Sequence, residues 1–472
     1  MRLVILGSGP GGYVAAIKAA QLGAEVTVIE DTEVGGTCLN RGCIPTKALV
    51  SSADVLHKTK HLEDFGIELS GLVTPNLPKM MARKDRVTST MVKGIRSLFK
   101  GRGISLIEGR GIIAGQDKID VTKRDGTIST VEADKVIIAT GSRPARIPVF
   151  PFDGEHILSS DDALNLTVIP KSLLIIGAGV IGCEFACIFS ELGSDVTMLE
   201  MLDRPVATED REISDVLLKE LRKKKIKLLT SVKVEKAVVK DDGVYVCLDG
   251  GKELKAEKLL VSIGRALNTQ DIGLEVVGIK TGPRGEIAVN ERMETNVPGF
   301  YAVGDVTGGM LLAHVASREG IIAAYNACGI ERKMDYTVVP AAIFTSPEIG
   351  SVGLREHQAI EKGINIKTGR FQFRGLGKAH AMGGIAGLVK VVADADTDKM
   401  LGMHIIGPHA SDLVHEGALA MQAGLTARQV ADMIHAHPTL AEGIMEAAGD
   451  VHDEAIHVLW TTPSPPFLRG NY

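Results

Sequence analysis

A short apolar run, Leu3–Leu6, leads into Gly7-Ser8-Gly9-Pro10-Gly11-Gly12, followed by an alanine-rich stretch from Tyr13 and a second apolar run, Val26–Ile29, that ends at Glu30. The same succession recurs 170 positions later. Leu173–Ile176 enters Gly177-Ala178-Gly179-Val180-Ile181-Gly182, a helical stretch runs to about Leu192, and Val196–Leu199 closes at Glu200. Twenty-three positions separate Gly7 from Glu30, and the same number separates Gly177 from Glu200. A single glycine pattern is common in turns. Two in register, each inside a strand–turn–helix–strand unit with an acidic end, define a pair of Rossmann-like dinucleotide-binding units in an α/β chain.

Each residue type has a physical task. Gly7 and Gly177 permit the tight turn, Gly9 and Gly179 let backbone approach a diphosphate, and Gly12 and Gly182 let the helix lie close on its strand. The helix N-terminus offers free N–H groups and partial positive charge to phosphate. Glu30 and Glu200 are placed to accept from ribose hydroxyls. Two such sites in one chain point to two nucleotides that exchange electrons. At the second, the Glu200 carboxylate repels a 2′-phosphate and no basic residue stands at Met201 or Leu202, which favours NAD(H) over NADP(H); Arg204 lies nearby.

The 472 residues allow about three domains. Lys+Arg number 53 against 58 Asp+Glu, a net charge of −5, so no basic surplus points to nucleic acid or an anionic membrane. No apolar run approaches the ~20 residues of a membrane helix, and Gly7 comes too early for a secretory core. Six cysteines in this length are not a secreted disulfide scaffold, and a reducing compartment is expected: the cytoplasm, or the mitochondrial matrix for a processed eukaryotic form.

Two of those cysteines fall in Gly35-Gly36-Thr37-Cys38-Leu39-Asn40-Arg41-Gly42-Cys43-Ile44-Pro45-Thr46-Lys47. Zinc ligation, an inert buried pair and a redox-active disulfide are the three readings. Zinc wants a second Cys or His pair, and Cys183, Cys187, Cys247 and Cys328 supply no obvious one. On an ideal helix, residues five apart lie about 8.7 Å apart at Cα, beyond the ~7 Å limit for a bridge, so a disulfide needs distorted backbone of the kind Gly42 and Pro45 allow. A strained bridge is easily reduced, and the redox reading is the favoured one. Cys183 and Cys187, at i and i+4 on the second helix, read as small core hydrophobes, as do Cys247 and Cys328.

The Gly35–Lys47 string behind an N-terminal dinucleotide unit resembles the redox motif of the pyridine-nucleotide–disulfide oxidoreductases, and within them the lipoamide (dihydrolipoyl) dehydrogenases. The similarity extends over essentially the whole chain. Ala139-Thr140-Gly141 and Ser262-Ile263-Gly264-Arg265 resemble the strand ends that pass the chain between nucleotide domains. Tyr301-Ala302-Val303-Gly304-Asp305 resembles the second flavin motif, and His435-Ala436-His437-Pro438-Thr439-Leu440-Ala441-Glu442 the C-terminal catalytic motif.

The resemblance implies FAD and NAD as cofactors and a homodimer that oxidises the dihydrolipoyl arm of a carrier protein of a 2-oxoacid dehydrogenase or glycine cleavage complex. It implies that Thr37, Lys47, Gly111, Thr140, Gly141, Asp305 and Ala313 join Gly7, Gly9, Gly12 and Glu30 around FAD. Val234 and Gly264 join Gly177, Gly179, Gly182 and Glu200 around NAD. Cys38 is the sulfur the substrate attacks, Cys43 the one next to the flavin, and Glu184 pairs with Lys47. His437, oriented by Glu442, takes the substrate's proton and serves the partner subunit's disulfide. Locally, Pro438 suits a first helical position, leaving His437 extended before it. His435 reads as satisfied or solvent-facing, and His314 as structural. Thr46 replaces a serine more usual in the family, and Arg41 an often apolar residue; Arg41 bears on potential or carrier preference.

Two rivals stand within the family. A glutathione-type reductase wants basic residues where Glu200 stands, and a mercuric reductase wants further cysteines near the C-terminus, which Pro463–Tyr472 lacks. A non-catalytic flavoprotein subunit has no use for both cysteines, His437 and Glu442. The expected division is an FAD-binding domain over 1–148, with a polar helix inserted from Leu77 to Phe99, and an NAD-binding domain over 149–276. A central segment over 277–343 completes the FAD site, and an α+β interface (dimerisation) domain spans 344–472, its proline-rich end from Thr461 extended.

Overall fold

The computed structural model describes residues 1–458; the proline-rich end from Thr461 lies outside them. Three sheets organise the chain. The first has seven strands in the order Phe300–Ala302, Lys135–Ile138, Arg2–Leu6, Glu25–Glu30, Ser105–Gly115, Lys118–Lys123 and Ile128–Glu132. Its first five strands are parallel, and the last two extend it as antiparallel hairpins. Strand Arg2–Leu6 is apolar on both faces because helices or strands cover both, as expected of a central parallel strand. On one side lie helices Pro10–Gln21 and Ala313–Ala327. They approach so closely that a Cβ on Gly320 would stand 2.3 Å from the Gly11 carbonyl oxygen.

The second sheet is parallel throughout, in the order Lys227–Leu229, Asp195–Leu199, Ser172–Ile176, Lys258–Val261 and Ile157–Leu158. A three-stranded antiparallel sheet over Val234–Lys240, Gly243–Leu248 and Glu253–Ala256 packs beside it. The third sheet is antiparallel: Ala341–Ile343, Glu348–Gly353, Met400–Gly407, Leu388–Asp394 and Ile366–Gln372. It therefore begins at Ala341, ahead of residue 344. Helices Ala410–Gln422 and Glu442–Asp450 pack on it.

A buried ion network fastens the third sheet to the second nucleotide unit. Lys390 is 1% exposed, and its Nζ meets Asp210 at 2.9 Å, Glu212 at 2.7 Å and Glu356 at 2.5 Å. Arg370 adds a bidentate contact to Glu212. Asp210 also accepts from Glu212 N at 3.0 Å as the N-cap of helix Arg211–Lys223. No helix among the described residues is long and apolar enough to cross a membrane.

Candidate active site

The two glycine turns fold the same way, bond for bond. Gly7 N donates to Ile29 O and Gly177 N to Leu199 O, both at 2.8 Å. The φ values are +95° at Gly7 and +97° at Gly177, a region open to glycine but costly for other residues. A Cβ on Gly12 would stand 2.0 Å from Gly7 O, and one on Gly182 1.9 Å from Gly177 O, so these positions are required for close helix–strand packing. Gly9 and Gly179 cap their helices with extended backbone and no side-chain cap, which leaves first-turn N–H groups for an anion. The glutamates also correspond: Ser8 N donates to Glu30 at 2.7 Å and Ala178 N to Glu200 at 2.6 Å.

They differ in spare capacity. Glu200 has one further bond, from Leu202 N at 2.9 Å, so about half of a carboxylate's acceptor positions stay open for ribose hydroxyls. Glu30 also accepts from Ser8 Oγ at 2.6 Å, Thr32 N at 2.9 Å and Thr32 Oγ1 at 3.0 Å, so a ribose there must displace the two side-chain hydroxyls.

The first turn opens on a cavity of about 1280 Å³ that extends to the thiol pair and the second unit. Gly7, Gly9, Glu30, Thr37, Cys38, Cys43, Lys47, Gly111, Thr140, Gly141, Glu184, Asp305 and Ala313 all line it. Gly12 does not, being packed on the strand. The size suits a dinucleotide rather than a drug-sized molecule. None of Gly177, Gly179, Gly182, Glu200, Val234 and Gly264 lines this cavity; from the second turn it is reached by Val180 and Ile181. Gly264 sits at φ +125°, its carbonyl accepting from Ala145 N. Val234 lies in an edge strand and packs on the core of the second unit; it is Val232 N that donates to Glu200 O, at 3.0 Å.

Cys38 ends the first helical turn of Gly36–Asn40, and Cys43 is the first residue of helix Cys43–Thr59. The helix is broken between them at Arg41 (φ −139°) and Gly42 (φ −142°, ψ −116°), where a Cβ would stand 3.0 Å from Thr37 O. This is the distortion the five-residue spacing demands. The sulfurs are inequivalent: Cys38 donates to Cys43, which raises the Cys38 thiol well above its ordinary value, with burial adding to the effect. The same hydrogen bond lowers Cys43 to about 6; burial opposes it, and the Lys47 ammonium adds to it. Cys43 also stands at a helix N-terminus, which favours a thiolate.

Lys47 meets both oxygens of Glu184 at 2.9 Å, with the glutamate side chain only 3% exposed. Glu184 is thus bound by a cation. Phe344, unmarked in the sequence, completes the contact. Its N–H donates to Glu184 at 2.9 Å, and its ring lies 4.7 Å from Lys47 Nζ. Asp305 accepts from Ser142 Oγ, and Arg265 donates to Ser142 Oγ at 2.6 Å and to its carbonyl at 2.8 Å. Buried Glu319 accepts from Gly304 N and Tyr336, each at 2.6 Å, and so fixes the turn that presents Asp305.

His437 Nδ1 lies 2.8 Å from Glu442 Oε1, while Glu442 Oε2 accepts from Thr439 N at 2.8 Å. The expected helix start at Pro438 is corrected: the His437–Pro438 peptide is cis, and the helix begins at Glu442. Glu442 accepts from Thr439 N in the loop just ahead of this helix. The His437 side chain is 78% exposed and lines no part of the cavity around its own chain's thiols. His435 is satisfied by Met433 O and Glu416, and His314 by Pro340 O. Cys183 and Cys187 are buried, and burial raises both thiols.

Paired phosphate turns, an activated dithiol between them and a carboxylate-bound histidine on a separate sheet domain make up a flavin- and nucleotide-linked disulfide enzyme. The chain belongs to the pyridine nucleotide-disulphide oxidoreductases, whose sequence model matches residues 1–320, with the family's dimerisation domain matching residues 339–448. It is 43% identical to the dihydrolipoyl dehydrogenase of Thermus scotoductus over 463 residues, which is 97% of this chain and 98% of that one. It is 44% identical to the dihydrolipoyl dehydrogenase of Bacillus subtilis, covering 96% and 98%. Among solved structures, LpdA from Mycobacterium tuberculosis superposes with a TM-score of 0.89 at 31% identity, covering 95% of this chain and 99% of that one. As in its family, the cofactors are FAD and NAD(H), and the residues around the two turns fit them.

Proposed function

We propose that the chain is a dihydrolipoyl dehydrogenase: a homodimer that oxidises the dihydrolipoyl arm of a carrier protein and reduces NAD⁺. The observation that carries this reading is the placement of the two thiols in a dinucleotide-sized cavity, with Cys43 at a helix N-terminus and the carboxylate-held Lys47 one turn along the same helix. Thiol–disulfide exchange expels the sulfur of lower pKa more readily. In a Cys38–Cys43 bridge the leaving group is therefore Cys43, and the substrate thiolate attacks Cys38. Bond by bond, the substrate sulfur joins Cys38 as the Cys38–Cys43 bond breaks. The second substrate thiol then displaces Cys38 and closes the substrate's own disulfide. Two protons leave the substrate: the first passes through His437 of the partner subunit to Cys38 as that sulfur is displaced, and the second stays on the imidazolium, which Glu442 stabilises through Nδ1. Lys47, oriented by Glu184 and Phe344, stabilises the Cys43 thiolate. FAD held at the Gly7–Gly12 turn would supply the two-electron chemistry that links the dithiol to NAD⁺.

The four-part division at 148, 276 and 343 belongs to the same proposal, as does a reducing compartment for the enzyme. Glu200 supports NAD over NADP, because its carboxylate stands where a 2′-phosphate would and Arg204 is turned into its own loop, toward Asp203 and Ala207 O. This weighs against a glutathione-type reductase. Steady-state turnover with dihydrolipoamide and either nucleotide tests the reading. Turnover with NAD⁺ is expected; preference for NADP⁺ removes the role of Glu200, and no turnover with either overturns the substrate.

A further inference from the structure

Arg41 stands between the two cysteines, and the exchange chemistry does not use it. Its Nη1 meets Glu33 at 3.2 Å and Nη2 donates to Thr32 Oγ1 at 3.2 Å, the hydroxyl that itself donates to Glu30. On the far side its Nε lies 3.8 Å from Asp161 Oδ2, across the boundary with the second nucleotide unit. Two of the five guanidinium N–H groups are engaged at hydrogen-bond distance, and the rest are available. Asp161 is equally incomplete, since its Oδ1 is sealed from water and has no hydrogen-bond partner among the described residues. Arg41 and Asp161 both line the cavity that begins at the Gly7–Gly12 turn.

Of the other cations on this lining, Lys47 is held by Glu184 and Arg265 by Ser142, while Arg143 and Arg110 each make one bond, to Asn268 and to Asp271 O; Arg41 differs from them in being carried on the thiol loop and paired across the cavity with a carboxylate of the second unit. A phosphate turn with backbone N–H groups and an arginine with spare donors line one cavity, with Asp161 Oδ2 beside the guanidinium.

We infer that Arg41 and Asp161 form a clasp that retains FAD, Arg41 giving a charge-assisted contact to its dianionic diphosphate and Asp161 holding the guanidinium across the cavity. The clasp rests on the reading of the first turn as the FAD site. It makes Arg41 a cofactor-binding residue and Asp161 a positioning residue, and it ties the second nucleotide unit to flavin occupancy. Arginine suits this task because its planar fork binds phosphate and carboxylate with directed bonds.

The test follows release of FAD from holoenzyme by the recovery of free-flavin fluorescence on dilution, at several salt concentrations. Arg41→Met is expected to release FAD at least about ten-fold faster, the scale of one lost charge-assisted bond, with a flatter salt dependence. Arg41→Lys restores part of the retention. Asp161→Asn falls between wild type and Arg41→Met and adds nothing in the double variant, because both act through one contact. If Arg41→Met yields no holoenzyme, Arg41→Lys and Asp161→Asn carry the measurement. Release within two-fold of wild type by the variants, or an unchanged salt dependence in them, overturns the clasp. A wild-type protein that binds no flavin overturns the reading of the site instead.

Discussion

The lowered Cys43 thiol has a direct consequence for pH. Its value of about 6 means that the reduced protein carries a thiolate above pH 6 and loses it as pH falls through that point. Alkylation of the reduced protein, followed by mass mapping of Cys43, should show a rate that rises with a midpoint near 6. Lys47→Met removes a cation that lowers the value, so its midpoint should move up toward the ordinary thiol value of about 8.5. A midpoint unchanged by that substitution would take Lys47 out of the thiolate's stabilisation. His437 is tested separately. His437→Gln should keep flavin bound and still be reduced by NADH, yet oxidise dihydrolipoamide at least about 10²-fold more slowly, the scale of a lost general base. Stopped-flow reduction by NADH and steady-state turnover separate the two halves. Near-normal turnover removes His437 from the mechanism.

At the scale of elements, the helix of Cys43 and the helix of the second phosphate turn run side by side, clamped twice. Lys47 meets Glu184 at one level; further along, His57 Nδ1 lies 3.0 Å from Glu191 and Lys60 Nζ 2.7 Å from it. Burial opposes ionisation of Glu191, but His57 and Lys60 prevail and bring its carboxyl down to about 2. A depressed carboxyl stabilises the fold above its unfolded value of about 4.3, and that stabilisation is lost as pH falls through about 2. Glu191→Gln should therefore lower stability by about 1–2 kcal/mol at neutral pH, with the gap to wild type closing toward pH 2. Thermal melts across that range check it; a gap independent of pH assigns the loss to packing instead.

The elements also show what was readable beforehand and what was not. Both glycine turns and the broken helix at Gly42 were legible because their cause is local: backbone conformation and short spacing. Pro438 misled because proline's fit to a first helical turn does not by itself place one there: the helix starts four residues later, at Glu442, whose carboxylate binds His437 and Thr439 N in the preceding loop. Phe344, Val232 and Asp161 were missed for a related reason. Phe344 and Asp161 meet residues more than a hundred positions away, and Val232 meets one 32 positions back, just past the end of a strand; nothing in their own neighbourhoods marks them.

For the whole molecule, the proposed function makes each reaction centre a joint product of two chains, because His437 is exposed and lies off the cavity of its own chain. Chains carrying Cys38→Ser and chains carrying His437→Gln should each be inactive in dithiol oxidation. Denatured together in equal amounts and refolded, they should regain about a quarter of wild-type activity, since half of the dimers are mixed and each mixed dimer holds one complete centre. Absence of recovery would place the base within one chain.

The loop that carries the thiols also bears on how the protein is put together. A Cβ on Gly36 would stand 2.7 Å from Gly9 Cα, so this loop is folded down on the first phosphate turn, while no atom approaches the corresponding point at Gly179 within 4 Å. Two grips of one design thus differ in what stands over them: a nucleotide at the first sits against the loop that carries the redox pair, and one at the second meets no such cover.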